Sequence, residues 1–364
     1  MESVAVMGEE TQNLENILNY LNLAGLRSSV IDTKKRYWFI RTESGKYYDE
    51  FVMDEFIAIG WNEIPCVSET IKEEEVTLLV ERYYPKVAHP TRVINQVRRF
   101  CQEMKKGDIV IIPKKGNEVL AFGVISGDIE ERKLSEDDIM DDACPFIRKR
   151  SVRWIKGIEK YRIDPYLYQF LRNQHAISVA DDYAPFIDRI MNTFYIKDGQ
   201  AHFTLGITSE EEQRALDMPT FISGIIHRAQ SIAEELNIPF NEEDIKLRIN
   251  VQSPGLAEQY GKPVSIALVA VVVIGLFGGT ANFSMKSKKL DVDAQLEVGT
   301  KGLPNLIETV HKVNDKYDDK HPYNEKKLKQ VVERSKIKDP RKELKQATPI
   351  QDQSAEEAID EDQE

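Results

Sequence analysis

The stretch Tyr37–Ile64, YWFIRTESGKYYDEFVMDEFIAIGWNEI, packs two tryptophans and six other aromatic residues around a Ser44-Gly45-Lys46 turn. Its two ends, YWFIRT and FIAIGW, are short apolar runs bounded by polar and turn-forming residues, which is the pattern of strands. The same texture returns in DIVIIPKK, VLAFGVISGDI and RSVRWIKGIE, so strand pairing dominates for more than a hundred residues. One helix is expected to interrupt it, from about Pro90 to Lys105, where Val93, Val97, Phe100, Cys101 and Met104 share a face. These features predict a mostly β domain over residues 36–190, a barrel with a helix laid across it.

Composition limits the alternatives. The chain has 364 residues and a formal charge of −12, but Gln351–Glu364 holds seven carboxylates and no base, which leaves −5 for the remainder. The global charge therefore says little about the folded parts. Cys66, Cys101 and Cys144 are odd in number and widely spaced, without a Cys-x-x-Cys pair or a paired His; that argues against zinc and against a disulfide framework, and for a reducing, cytoplasmic setting. The acidic start MESVAVMGEETQ does not read as a secretory signal. An N-terminal helix is expected within residues 1–35, with Leu14, Leu18 and Leu21 facing the domain behind it.

After residue 190 the texture changes to a small α+β module, 191–260. FYIKDGQAHFTLGI reads as a hairpin turning at Asp198-Gly199, PTFISGIIHRAQSIAEEL as an amphipathic helix, and IKLRINVQ as a strand that stops at Pro254-Gly255. Then comes Pro263–Met285, 23 residues without a charge. At about 1.5 Å per residue it reaches roughly 35 Å, enough to cross a bilayer core of about 30 Å, so a single transmembrane or membrane-embedded helix is predicted, with an inner-membrane location and cytoplasmic soluble parts. Gly275 and Gly279 form a G-x-x-x-G pair that would let two copies approach, giving a homo-oligomer through this segment. A buried β-hairpin in a fully cytoplasmic protein is the competing reading of the same residues. Residues 286–323 read as a short ordered extension and 324–364 as a disordered charged tail.

The order of pieces in the first domain carries a resemblance. Trp38 within W-x-I-R, S-G-K, the F-x-A-I-G-W strand, the helix, K-x-G-D, G-x-I and a late R-x-V-x-W together resemble the PUA-like, EVE-related N-terminal domain of Mrr-type restriction endonucleases and related bacterial defence proteins. It covers residues 36–190. The resemblance implies a barrel with a recess that holds a base, often a modified one, taken out of a nucleic-acid strand.

Residue chemistry is compatible with that implication. A flipped base needs a flat wall to replace lost stacking, polar groups for its edge and a basic rim for the phosphates. Trp61, Asn62, Trp38, Tyr47 and Tyr48 are the candidates for wall and edge; Arg41, Lys46, Arg148, Lys149, Arg150, Arg153 and Lys156 are those for the rim. Phe146–Arg162 holds seven bases against one acid. The bland readings stand beside these: strand tryptophans usually fill a core, and alternating Arg and Lys usually mark a solvated strand face. No catalytic residue, metal or cofactor is expected, since Asp244-Ile245-Lys246 lacks a partner acid for an Mrr-like nuclease. The functional expectation is a non-catalytic sensor of a nucleic-acid base or nucleotide that acts at the membrane in phage defence. An Mrr-like nuclease and a soluble RNA- or DNA-binding module are the alternatives.

Overall fold

A computed structural model describes residues 2–66, 71–133, 143–209, 214–249, 255–278, 306–317 and 320–342. The chain divides into two compact units, an inserted one at 34–191 and a split one made of 1–33 and 192–346. The fold is α+β. The expected domain limits of 36 and 190 fall close to these boundaries, but the N-terminal helix belongs to the split unit, where Ile17, Tyr20 and Leu21 join Phe194, Phe203 and Phe221 in one core.

The split unit opens with α1 (Glu2–Leu23) and β1 (Ser28–Val30). The inserted unit follows with β2 (Tyr37–Ile40), α2 (Tyr48–Met53), β3 (Phe56–Ile59), α3 (Glu73–Tyr83) and α4 (Pro90–Arg98), which runs on into a π-helical turn, Arg99–Glu103. Next come β4 (Ile109–Pro113), β5 (Val119–Glu131), β6 (Arg148–Glu159), the single-turn α5 (Tyr168–Leu171), β7 (Ile177–Val179) and α6 (Ala184–Met191). Strand order is β3-β6-β5-β4-β2-β7, and among the described residues the pairing ends at β3 and β7 without closing. The expected barrel is thus met in part, as a curled half-barrel that stays open, with register slips between β5 and β6 at Phe122/Gly123 and Ile125/Ile129.

Both faces of this sheet are covered. Trp38, Ile40, Val110 and Ile112 pack with residues of α2, α3 and α4 on one side, while Tyr37, Phe39, Ile109 and Ile111 pack with residues 163–191 on the other. Double coverage explains why β2 and β4 are continuous apolar runs rather than alternating ones.

The split unit resumes with β8 (Phe194–Lys197), β9 (Gln200–Ile207), α7 (Asp217–Glu235), β10 (Ile245–Ile249), β11 (Gly255–Gly261), α8 (Pro263–Leu276), α9 (Leu306–Lys316) and α10 (Glu325–Arg334). Its sheet runs β1-β8-β9-β11-β10. The β8–β9 hairpin turns at Asp198 (φ 50°) and Gly199 (φ 72°), as the sequence predicts. Strand β11 begins where the sequence suggested a stop and carries two fully buried polar residues, Glu258 and Gln259.

The transmembrane expectation is overturned. No helix among the described residues is long and apolar enough to cross a membrane. Among the described residues of the uncharged run, Pro263–Leu276 is helical, 14 residues or about 21 Å. Every residue from Ser265 to Ile274 is buried, packed with residues of α1, α7 and β9. A short helix apolar all round is the signature of a core helix. Its Gly275 needs no close approach, since an added Cβ would meet nothing within 4 Å. Ala267 and Val271, eight and four residues before Gly275 on the same helix face, are buried within the unit, so the face expected to pair two copies is already occupied. Gly279 and Met285 lie outside the described residues, as do 286–305 and 343–364. The expected disordered tail is corrected between 324 and 342: α10 buries Leu328 and Val331, and Ile337 bridges to Ile207.

Candidate functional site

The inserted unit contains a cavity of about 460 Å³ lined by Arg41, Glu43, Ser44, Trp61, Gln96, Gln174, His175 and Ala176. That volume lies in the range that holds small organic ligands. Four segments supply the walls: the turn after β2, the loop after β3, helix α4 and the loop before β7.

Backbone strain is concentrated here. Eight described non-glycine residues have positive φ, and five of them occupy ordinary places. Asp198 and Asn117 sit in hairpin turns; Glu55, Asn237 and Lys336 sit just past helix ends. The other three are Glu43 (φ 50°), Ser44 (φ 59°) and Trp61 (φ 66°), and all three line the cavity. Glu43 and Ser44 are the central residues of a turn closed by Gly45 N–H donating to Thr42 O at 3.1 Å. Such turns normally use Asn and Gly. A left-handed conformation at a bulky non-glycine residue costs on the order of 1–3 kcal/mol and collects at ligand clamps and active sites.

Trp61 is held in place by named contacts. Its carbonyl accepts from Ile64 N at 2.9 Å and from Arg148 Nη1 at 3.1 Å, and its ring meets Tyr84 edge-on at 4.9 Å. Arg148 Nη2 also donates to Asn62 O at 3.3 Å, and Arg148 Nε to Glu131 at 2.9 Å. Asn62 secures the loop from its side chain, donating to Pro145 O at 2.8 Å and accepting from Ile147 N at 3.1 Å.

The remaining wall is polar. Arg41 donates through Nε to Asn173 O, through Nη2 to Leu171 O and Asn173 O, and through Nη1 to Asn117 Oδ1. One Nη1 hydrogen is left for a ligand. Burial draws its pKa down from the ordinary arginine value. Gln96, 6% exposed, donates to Arg92 O and accepts from Ala176 N at 2.7 Å, so it anchors the loop before β7. The His175 imidazole makes no hydrogen bond or ion pair with the described protein.

The predicted site residues separate clearly in this structure. Trp61 and Arg41 line the cavity. Trp38 does not; it is fully buried and donates its indole N–H to Asp108 at 2.8 Å. Tyr47 and Tyr48 are 7% and 2% exposed and belong to the core, and Asn62 is committed to backbone. Arg148 and Arg150 are each 3% exposed, which corrects the expectation of a solvent-facing rim. Arg150 donates to Phe100 O and Cys101 O. Lys46 lies over the Tyr47 ring, Lys149 lies 3.5 Å over the Phe56 ring and Lys156 donates to Ile190 O. Of this set Lys46 and Arg153 are exposed. Glu43, Ser44, Gln96, Gln174 and His175 were missed, because polar residues scattered over three segments carry no local signal.

The cysteines also differ from expectation. Cys66, five residues after Trp61, is joined to Cys101 in the π-helical turn by a disulfide. Among the described residues no group of three or more His, Cys, Asp or Glu is arranged to hold a metal ion.

Residues 38–178 match the model of a family described as a domain of unknown function, DUF8426. The match falls within the inserted unit and includes every residue that lines the cavity. No curated protein matches the chain. No solved structure matches it.

Proposed function

We propose that the inserted unit reads a flat, hydrogen-bonding heteroaromatic group, the base of a nucleic-acid strand or of a nucleotide, held in the Trp61 cavity. The observation that carries this reading is Trp61 itself, a large aromatic residue kept at φ 66° on the wall of a polar cavity by Arg148 and Asn62. Core packing does not require a strained tryptophan, whereas a stacking platform for an unstacked base does require a ring fixed in place. Glu43, His175 and the free Nη1 hydrogen of Arg41 supply acceptors and donors for the edge of the base. The resemblance of residues 36–190 to PUA-like domains supports the same ligand class and favours a modified base.

Recognition on this reading rests on stacking and hydrogen bonds. Among the described residues Arg41 is the only Lys or Arg in the cavity wall, and backbone carbonyls already hold most of its donors. Affinity should therefore fall only weakly with salt, in contrast to proteins that neutralise many phosphates. The test titrates the full chain with nucleosides and with single-stranded oligonucleotides carrying unmodified or modified bases, following tryptophan fluorescence and heat. At least one probe should bind, and Trp61→Ala should weaken it about tenfold or more, since one stacked base is worth about 1–3 kcal/mol. Equal, weak binding of every probe to wild type and variant rejects the reading.

A further inference from the structure

The disulfide stands where it can control this cavity. Cys66 lies five residues after Trp61 in the segment that follows β3, and Cys101 sits in the π-helical turn that continues α4, the helix that carries Gln96. Two walls of the cavity are thus tied covalently. The same two segments are clamped from one strand: Arg148 holds Trp61 O and Asn62 O, and Arg150, two residues further along β6, holds Phe100 O and Cys101 O. The arginines hold Trp61, Asn62, Phe100 and Cys101 through their carbonyls, and the disulfide holds the loop again at Cys66, five residues beyond Trp61. π-helical turns are rare and frequently mark functional sites.

We propose that Cys66 and Cys101 form a reversible redox latch on the Trp61 cavity, closed as the disulfide and released as the dithiol. Both cysteines are half-buried, unlike Cys144, which is enclosed in the core. The exchange balances with a low-molecular-weight disulfide: two cysteine thiols and one glutathione disulfide give the protein disulfide and two glutathione thiols. Cys144 stays outside the exchange, because it is fully buried and burial pushes its thiol up to about 11. Opening the bond removes one of the ties on the left-handed Trp61 loop. The Ile64 amide, bonded to Trp61 O at 2.9 Å, is the natural reporter.

The regulatory half of this inference rests on the base-reading function; the latch itself does not. The full-length protein is equilibrated in glutathione buffers from reducing to oxidising, then followed by alkylation with intact mass, by hydrogen exchange over residues 60–66, and by titration with adenosine, guanosine, cytidine and uridine. In oxidising buffer Cys66 and Cys101 should resist alkylation, and the Ile64 amide should exchange at least tenfold more slowly than in the dithiol form. A Cys66→Ser, Cys101→Ser double variant should keep the fast exchange in both buffers. The nucleoside that binds the disulfide form should bind the dithiol form at least tenfold more weakly. Alkylation of both cysteines at every potential, or equal exchange in the two forms, overturns the latch. Different exchange with equal affinity overturns its control of binding. Absence of nucleoside binding in both forms counts against the base reading, while the exchange result still decides the latch.

Discussion

The two units use left-handed backbone for different ends. In the split unit it serves chain reversal. Asn237 and Lys336 follow α7 and α10, and in each case two bonds cap the helix: Asn237 N to Glu234 O and Ile238 N to Ala233 O, then Lys336 N to Glu333 O and Ile337 N to Val332 O. Asp198 turns a hairpin. In the inserted unit Glu55 and Asn117 serve chain reversal too, but Glu43, Ser44 and Trp61 adopt the same conformation around a cavity, and none is a residue that favours it. Strain that completes a turn is repaid locally by the turn's own hydrogen bonds. At Glu43 and Ser44 the turn's own bond from Gly45 N–H to Thr42 O does the same, whereas Trp61 is held from outside, by Arg148 on its carbonyl and by Asn62 and the Cys66–Cys101 bond on its loop.

The largest effect that would test this contrast is at Gly45, which has φ 98° and where an added Cβ would lie 2.5 Å from Lys115 N. Gly45→Ala should destabilise the inserted unit by on the order of 3 kcal/mol in urea unfolding, because a backbone clash adds to an unfavourable φ. Next come paired relief mutations. Ser44→Gly and Lys336→Gly should each stabilise by about 1 kcal/mol. Only Ser44→Gly should also weaken ligand binding, and equal binding by both variants would break the distinction between turn strain and site strain.

A smaller effect depends on pH. Arg334 grips Asp217 through two 2.8 Å bonds and holds its carboxyl below the usual carboxylate range. The stabilisation is present above the unfolded value of about 4 and is lost as pH falls through the lower folded value. Asp217→Asn should therefore flatten the acid-side loss of stability in the split unit. The smallest effect is at Tyr48, whose hydroxyl is buried without a partner. Tyr48→Phe should be neutral or slightly stabilising, which denies it a role at the cavity.

What the sequence made legible follows from which forces act locally. The Asp198-Gly199 hairpin and helix α4 were readable because turn chemistry and helical periodicity are written in consecutive residues. Trp61 stood out because a tryptophan before Asn62 at a strand end has no obvious core to enter. Trp38 misled, being an aromatic in a strand whose two faces are both covered, a fact no window of sequence contains. Arg148 and Arg150 looked like a solvated face, since alternate arginines on a strand usually are; here they satisfy carbonyls of distant loops. The uncharged run misled through length, because its helix stops at Leu276 and is covered by elements distant in sequence, α1 before it and α9 and α10 after it, as well as by α7. Cys66 and Cys101, 35 residues apart, meet only once α4 is docked.

Helix α8 also sets an order of events during synthesis. Its neighbours include α1, made first, and residues of α9, α10 and Ile337, made last. The inserted unit, residues 34–191, can complete its core while the ribosome is still adding the rest of the chain. The split unit cannot, because between Leu276 and Ile337 roughly 60 further residues must emerge, which takes about 3–12 s at ordinary elongation rates. For that interval the most apolar segment of the molecule waits with its cover incomplete, and a nascent chain stalled there is the species that a chaperone would meet.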